Sequence, residues 1–252
     1  MQADASGAGQ SGAGEAVLFQ PDGQRMARVA DVTIGYPPAV LSPEDRPIFH
    51  FTHISNLPNV LDQGYVACDR IVREDRSLQV ECGDQLIKER RRLRKVDPLP
   101  GGVVADYVPF YFAPRSPMLY KISKGAVQTY ADGQDPLVYL VTTPRRLMRA
   151  GCVSVFSDGN CAADITEIES DMARLGSHVD WSVMERERWN NSPEDPDRMR
   201  RRMAEFLVHE RVPVAAITHL AARTRSRTDA VRQLLDGRGL RLDVIVRPAW
   251  YY

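Results

Sequence analysis

Apolar and polar positions divide the chain into three stretches. The first sixteen residues, MQADASGAGQSGAGEA, are rich in Gly, Ala and Ser and nearly free of bulky apolar side chains. Burial cannot offset their ordering entropy, so disorder is expected. From Val17 to about Arg46 apolar residues appear but are interrupted by Pro21, Pro37, Pro38 and Pro43, which reads as a loosely attached lead-in. Residues 1–46 are therefore expected to be an extension, and a single folded domain is expected over 47–252.

Within that domain, Ile48 to His53 is an apolar, β-favouring run followed by Ser55 and Asn56. It predicts a strand passing into a helix capped around Ser55 and ending near Gly64. Asp84 to Val96 predicts a helix with Leu86, Leu93 and Val96 on its buried face and a strongly basic face opposite. Asp106 to Phe112 predicts an aromatic strand whose Pro109 suggests an edge position or the start of pairing, with loops at 98–102 and 114–117. Leu137–Thr142 and Val153–Phe156 read as strands, and Ser157 to Asn160 as a turn. Met172–Trp189 is partly helical, and Pro193 to Asp197 supplies helix-start chemistry for an arginine-rich helix over Arg198–Met203. Further strands are expected at Glu205–His209, Ala215–Ala221 and Leu242–Arg247, with a helix at Thr228–Leu235. Strands and helices mix without regular βαβ alternation, which gives an α+β class.

With 252 residues, 43% hydrophobic and 26% charged, the chain can bury one good core. No run of about eighteen apolar residues and no basic-then-apolar leader occurs, so no membrane association is expected, and a cytoplasmic location is. Cys68, Cys82, Cys152 and Cys161 lie far apart, without a C-x-x-C pair or metal-ligand spacing to histidine. Reduced thiols and no metal are expected. Lys plus Arg and Asp plus Glu are 33 each, so any nucleic-acid affinity has to be local. The common phosphate-cradle and metalloprotease motifs are absent.

Three clusters carry candidate chemistry. His50 and His53 sit three apart at a strand end, suited either to a site or to hydrogen bonding in the core. The aromatic and proline-rich run from Asp106 to Tyr120 fits a rigid wall against which a planar ring stacks, and equally a packed core. The basic residues Arg90, Arg91, Arg92, Arg94 and Lys95, with Arg200, Arg201 and Arg202 further on, can meet phosphates or line a solvated face. Glu205 has two readings: as a helix residue it faces away from Met199, Met203 and Phe206, and as the first residue of a strand it faces a cleft.

The succession of His50, Phe51, Thr52 and His53, then Glu89 to Arg91, then the Asp106 to Tyr120 run, then Ala204, Glu205, Phe206, Leu207 and Val208, and finally Trp250, Tyr251 and Tyr252 resembles the DarT family over about Pro47 to Tyr252. The resemblance implies a toxin with an ADP-ribosyltransferase fold, a split, twisted β-sheet with helices packed around a NAD cleft. It also implies NAD+ as co-substrate, a base in single-stranded DNA as acceptor, and a macrodomain antitoxin of the DarG type as partner. Thymine is favoured over guanine as the acceptor base.

By the same resemblance Glu205 is the catalytic glutamate and Arg91 a catalytic, NAD-contacting arginine. His50, Thr52, Tyr111 and Met118 fall to the NAD pocket. Arg90, Arg92, Arg94, Arg115, Asn160, Arg200, Arg201 and Arg202 are the candidate DNA contacts, with Tyr107 and Tyr130 as candidate base-stacking rings. Asn160 stands where some relatives carry a histidine and cannot relay protons as histidine does. Competing classes are a guanine-modifying enzyme, a transferase acting on protein or RNA, and a non-catalytic single-strand-binding module.

Overall fold

The computed structural model describes residues 41–252. Most of the expected lead-in lies outside the described residues. The strands are β1 (Ile48–His53), β2 (Tyr65–Ala67), β3 (Tyr107–Tyr111), β4 (Leu137–Thr142), β5 (Ser154–Ser157), β6 (Ile168–Glu169), β7 (Glu205–His209), β8 (Arg211–Pro213), β9 (His219–Ala222) and β10 (Asp243–Val246). The helices are α1 (Leu57–Gln63), α2 (Asp69–Glu74), α3 (Gln85–Leu93), α4 (Pro117–Ser123), α5 (Pro144–Arg149), α6 (Leu175–His178), α7 (Trp181–Met184), α8 (Arg198–Arg202) and α9 (Arg225–Asp236). Eight strands form one sheet in the order β10-β9-β4-β1-β3-β7-β5-β6, and β2 pairs with β8 separately.

The sheet is split at its centre. β1 pairs with β4 along its whole length, but with β3 it shares one paired position, Phe49 opposite Tyr111. This gap explains Pro109. It lies in an interior strand, between β1 and β7, and not at the edge that its presence suggests. Its missing amide proton costs little where the ladder has opened, and its carbonyl accepts a hydrogen bond from the His50 ring at 2.8 Å. β4, by contrast, is buried at all six residues, as a near-continuous apolar strand covered on both faces should be.

The lead-in joins the domain before Pro47. Arg145 on α5 holds Asp45 at 2.6 Å and Glu44 at 2.7 Å, and the Arg46 guanidinium lies 4.6 Å from the Trp181 ring centroid. α1 begins at Leu57, after a turn capped by the His53 ring, which accepts the Ser55 amide; Ser55 itself is not the cap. Gly64 closes α1 at φ 77°, a left-handed position that favours glycine. The stretch expected as a loop at 114–117 ends as the start of α4, with Ser116 capping and Pro117 at its first position. The strand expected from Ala215 begins only at His219, after a short turn over Val214–Ala216.

The arginine-rich segment forms α8, and its third arginine is structural. Arg202, 4% exposed, donates to the carbonyls of Val183 (2.9 Å), Met184 (2.6 Å) and Arg186 (3.2 Å), and to that of Arg115 (3.4 Å). It satisfies the orphan carbonyls at the end of α7 and ties them to α8, so the expectation of a DNA contact at Arg202 is corrected: its guanidinium is buried against backbone carbonyls. Arg202→Ala should lower unfolding free energy by about 3 kcal/mol, because the carbonyls lose their charged donor. Urea denaturation reads this, and a loss below about 1 kcal/mol would contradict the assignment.

Candidate active site

Glu205 opens β7, so of its two readings the strand is correct. Its amide donates to Ser157 Oγ at 3.0 Å, and that hydroxyl donates to the Gly159 carbonyl at 2.7 Å. The end of β5 thereby fixes the start of β7. Glu205 is only 1% exposed, and both carboxylate oxygens lie 2.8 Å from Nη1 of Arg91. Burial opposes the Arg91 cation, but the Glu205 charge more than offsets this and holds its pKa above the ordinary arginine value. Across the ladder from Glu205 stands Tyr111, whose phenol is pushed up by burial first and by the Glu205 carboxylate second. The Cys161 thiol is raised for the same two reasons, so it stays protonated and poorly nucleophilic.

Arg91 reaches the site because α3 turns its charged face inward. This reverses the expected amphipathicity: Leu86 and Leu93 are 68% and 81% exposed, while the basic residues find acids. Arg92 pairs with Asp69 at 2.8 Å, and Lys88 with Asp69 at 2.6 Å and with Glu81. Asp84 caps the helix by accepting the Leu86 and Ile87 amides, and it also pairs with Lys121 on α4. α3 is therefore held by ion pairs and a cap rather than by an apolar stripe. Nothing in the spacing singles out Asp69, because its two partners lie about twenty residues away.

Arg91 also lines a mostly apolar cavity of about 220 Å³, together with His50, Thr52, Asn56, Cys82 and Met118. Burial lowers the His50 pKa, so the ring is neutral. Since the Pro109 carbonyl can only accept, Nδ1 carries the proton and Nε2 is left as an acceptor. Thr52 Oγ accepts from Asn56 at 2.9 Å, which leaves its own proton free to donate. Asn56 is buried, and it also binds the Gln79 and Val80 amides and the Val80 carbonyl. It pins the segment that roofs the cavity onto β1, a role with no signal in the sequence. Of the expected pocket residues, His50, Thr52, Arg91 and Met118 meet in this cavity. Tyr111 and Glu205 do not line it; Arg91 lines it and pairs with Glu205.

Most of the expected phosphate contacts are already paired. Arg200 binds Asp197 at 2.8 Å and Asp158 at 3.0 Å; it packs so tightly on Gly159 that a Cβ there would lie 2.2 Å from its Nη1. Arg201 pairs with Asp180 and Asp195, and Arg94 donates to the Thr166 carbonyl at 2.8 Å. These arginines, with Arg92, shape the rim of the site instead of presenting free charge. Arg90 faces solvent. Asn160 closes a local turn by accepting the Ala162 amide at 2.9 Å. Arg115 lies over the Tyr252 ring, 4.4 Å from its centroid. Tyr107 and Tyr130 are both buried, so neither presents a face on which a base could stack.

Among the described residues no three His, Cys, Asp or Glu side chains come together as metal ligands, and no helix is long and apolar enough to cross a membrane. The site brings together a buried carboxylate, the arginine paired with it, and a neutral imidazole acceptor and a hydroxyl donor that line the same cavity.

This architecture has known relatives. The family model described as "ssDNA thymidine ADP-ribosyltransferase, DarT" matches residues 49–252. A Mycobacterium tuberculosis protein named DNA ADP-ribosyl transferase is 35% identical over 213 residues, 83% of this chain and 90% of that protein. The structure of Thermus sp. 2.9 DarT in complex with ADP-ribosylated single-stranded DNA superposes with a TM-score of 0.76 at 34% identity, covering 83% of this chain and 98% of that one. The same Thermus protein in complex with NAD+ gives a TM-score of 0.74 at 32% identity, covering 84% of this chain and all of that one. The split sheet, the buried glutamate at the start of β7 and these likenesses agree: the chain belongs to the DarT family of ADP-ribosyltransferases.

Proposed function

We propose that this protein transfers ADP-ribose from NAD+ to the ring nitrogen of a thymine in single-stranded DNA and releases nicotinamide. The observation that carries the reading is the buried Glu205 carboxylate, held by Arg91, which also lines the adjoining cavity. Breaking the bond between ribose and nicotinamide develops positive charge at the sugar, which a preorganised carboxylate in a dry site stabilises strongly. In this reading Glu205 binds the 2′-hydroxyl of that ribose and takes the thymine ring proton as the new bond forms. Arg91 exchanges Glu205 for the dinucleotide's phosphates, and His50 Nε2 accepts from a ribose hydroxyl while Thr52 donates. The cavity in this structure is smaller than the roughly 300–1,000 Å³ of ordinary ligand sites, which supports a binding step in which Arg91 swings away.

Thymine is favoured because the matching family is described by thymidine. Single strands suit a buried acceptor site because the target base need not be unpaired first. The toxin role, with reversal by a macrodomain hydrolase of the DarG type, rests on the family likeness alone.

Incubation with NAD+ and single-stranded oligonucleotides, each lacking one of the four bases, followed by mass spectrometry, checks this reading. A gain of one ADP-ribose is expected on every oligonucleotide except the one without thymine. Glu205→Gln should reduce the rate at least a hundredfold. Modification that persists without thymine but disappears without guanine would overturn the base assignment, and label appearing only on protein or RNA would overturn the acceptor class.

A further inference from the structure

Tyr107 and Tyr130 are sealed inside and the arginines of α8 are paired within the fold, whereas Arg115 stands in an aromatic cluster at the surface. The structure offers a different surface. Tyr120 on α4 is 39% exposed and meets Trp189 and Tyr252 edge to face, with ring centroids 5.7 Å and 5.1 Å away. Trp189 Nε1 donates to the Tyr252 hydroxyl at 3.0 Å, and that hydroxyl donates to the Arg115 carbonyl at 2.9 Å. Trp189 is itself buried and offers no open face, but it locks the exposed Tyr120 ring and Tyr252 in place.

Two cations flank them. Arg115 covers Tyr252, its Nε buried without a hydrogen-bond partner, and Lys124 stands 5.3 Å from the Tyr120 ring. Exposed Arg188 precedes Trp189 in the chain. The cluster adjoins the site: Arg115 lies between Tyr111, which faces Glu205 across the ladder, and Met118, which lines the cavity. Its carbonyl is also held by Arg202, three residues before Glu205.

We infer that the Tyr120–Trp189–Tyr252 cluster, with Arg115 and Lys124, is the platform on which the nucleotides beside the target base lie, Tyr120 stacking on a base and the two cations meeting phosphates. Rigid rings interleaved with cations are what a single strand recognises, since every base has a face to stack and every linkage a charge. Ordered rings also lose little entropy when a base settles on them. The inference extends the proposed DNA-modifying reading to a second surface, and binding can be measured apart from transfer.

The test is fluorescence anisotropy with a labelled single-stranded oligonucleotide that contains no thymine, so that no acceptor base is present. Tyr120→Ala should weaken binding about tenfold or more, and Tyr120→Phe should retain it, because the ring face and not the hydroxyl is used. Lys124→Glu, at an exposed position where folding is not at stake, should weaken binding and flatten its dependence on log salt by at least about 0.7, the share of one phosphate contact. Wild-type-like binding by both Tyr120→Ala and Lys124→Glu, with unchanged salt slopes, overturns the platform even if transfer occurs. Weakened binding by these variants upholds it even if the acceptor base proves not to be thymine.

Discussion

The buried ion pair between Arg91 and Glu205 is the contact around which the other features of this site are arranged. Two charges taken from water at the base of a cleft rarely stabilise a fold beyond what apolar side chains would achieve, yet losing one of them strands the other. The surrounding structure accommodates that constraint. Ser157 fixes the strand that carries Glu205. Asp69, Glu81 and Asp84 anchor the helix that carries Arg91, and the sheet opens between β1 and β3 so that a ligand can approach from the His50 side. In the proposed reading the pair is a resting state, in which Arg91 orients the carboxylate through two hydrogen bonds until anionic phosphates compete for it.

The same constraint explains why α3 is inverted. The helix is docked through partly buried ion pairs, each of whose charges depends on its partner. Leu86 and Leu93 face outward because the inward face is occupied by Lys88, Arg91 and Arg92 and their acids. Along the opposite rim the arginines of α8 are spent on Asp158, Asp180, Asp195 and Asp197 and on the carbonyls after α7. They are thereby fixed in place just before β7 and Glu205.

Much of the fold was legible in the sequence where local pattern and tertiary environment coincide. β1, β4 and β7 are apolar runs that became buried central strands, and α1 ends at Gly64 as its glycine requires. The pattern misled where long-range partners override it. The spacing of Leu86 and Leu93 implied a buried face, but Asp69 supplied a stronger claim on the opposite one. Pro109 implied an edge or the start of pairing, since no local feature shows that the ladder opens beside an interior strand. Glu205 was ambiguous from periodicity and gained its role through resemblance, whereas Asn56, Asp69 and Ser157 carry no local signal, because each acts on partners that only the folded chain brings near. Runs of arginine tempt a phosphate reading, but at Arg200 and Arg201 the acids that answer them are partly remote, and Arg202 is met by backbone carbonyls.

The claim that the Arg91–Glu205 pair is kept for chemistry, and is not what stabilises the fold, is tested most directly by a double-mutant cycle in equilibrium unfolding. Arg91→Met alone should cost about 3–5 kcal/mol, because it leaves a buried carboxylate unpaired, and Glu205→Gln alone should cost a comparable amount through the unpaired cation. Combined, the two substitutions should restore stability to within about 1 kcal/mol of wild type. Additive losses in the double variant, or single losses below about 1 kcal/mol, would contradict the account, because the two charges would then not depend on each other.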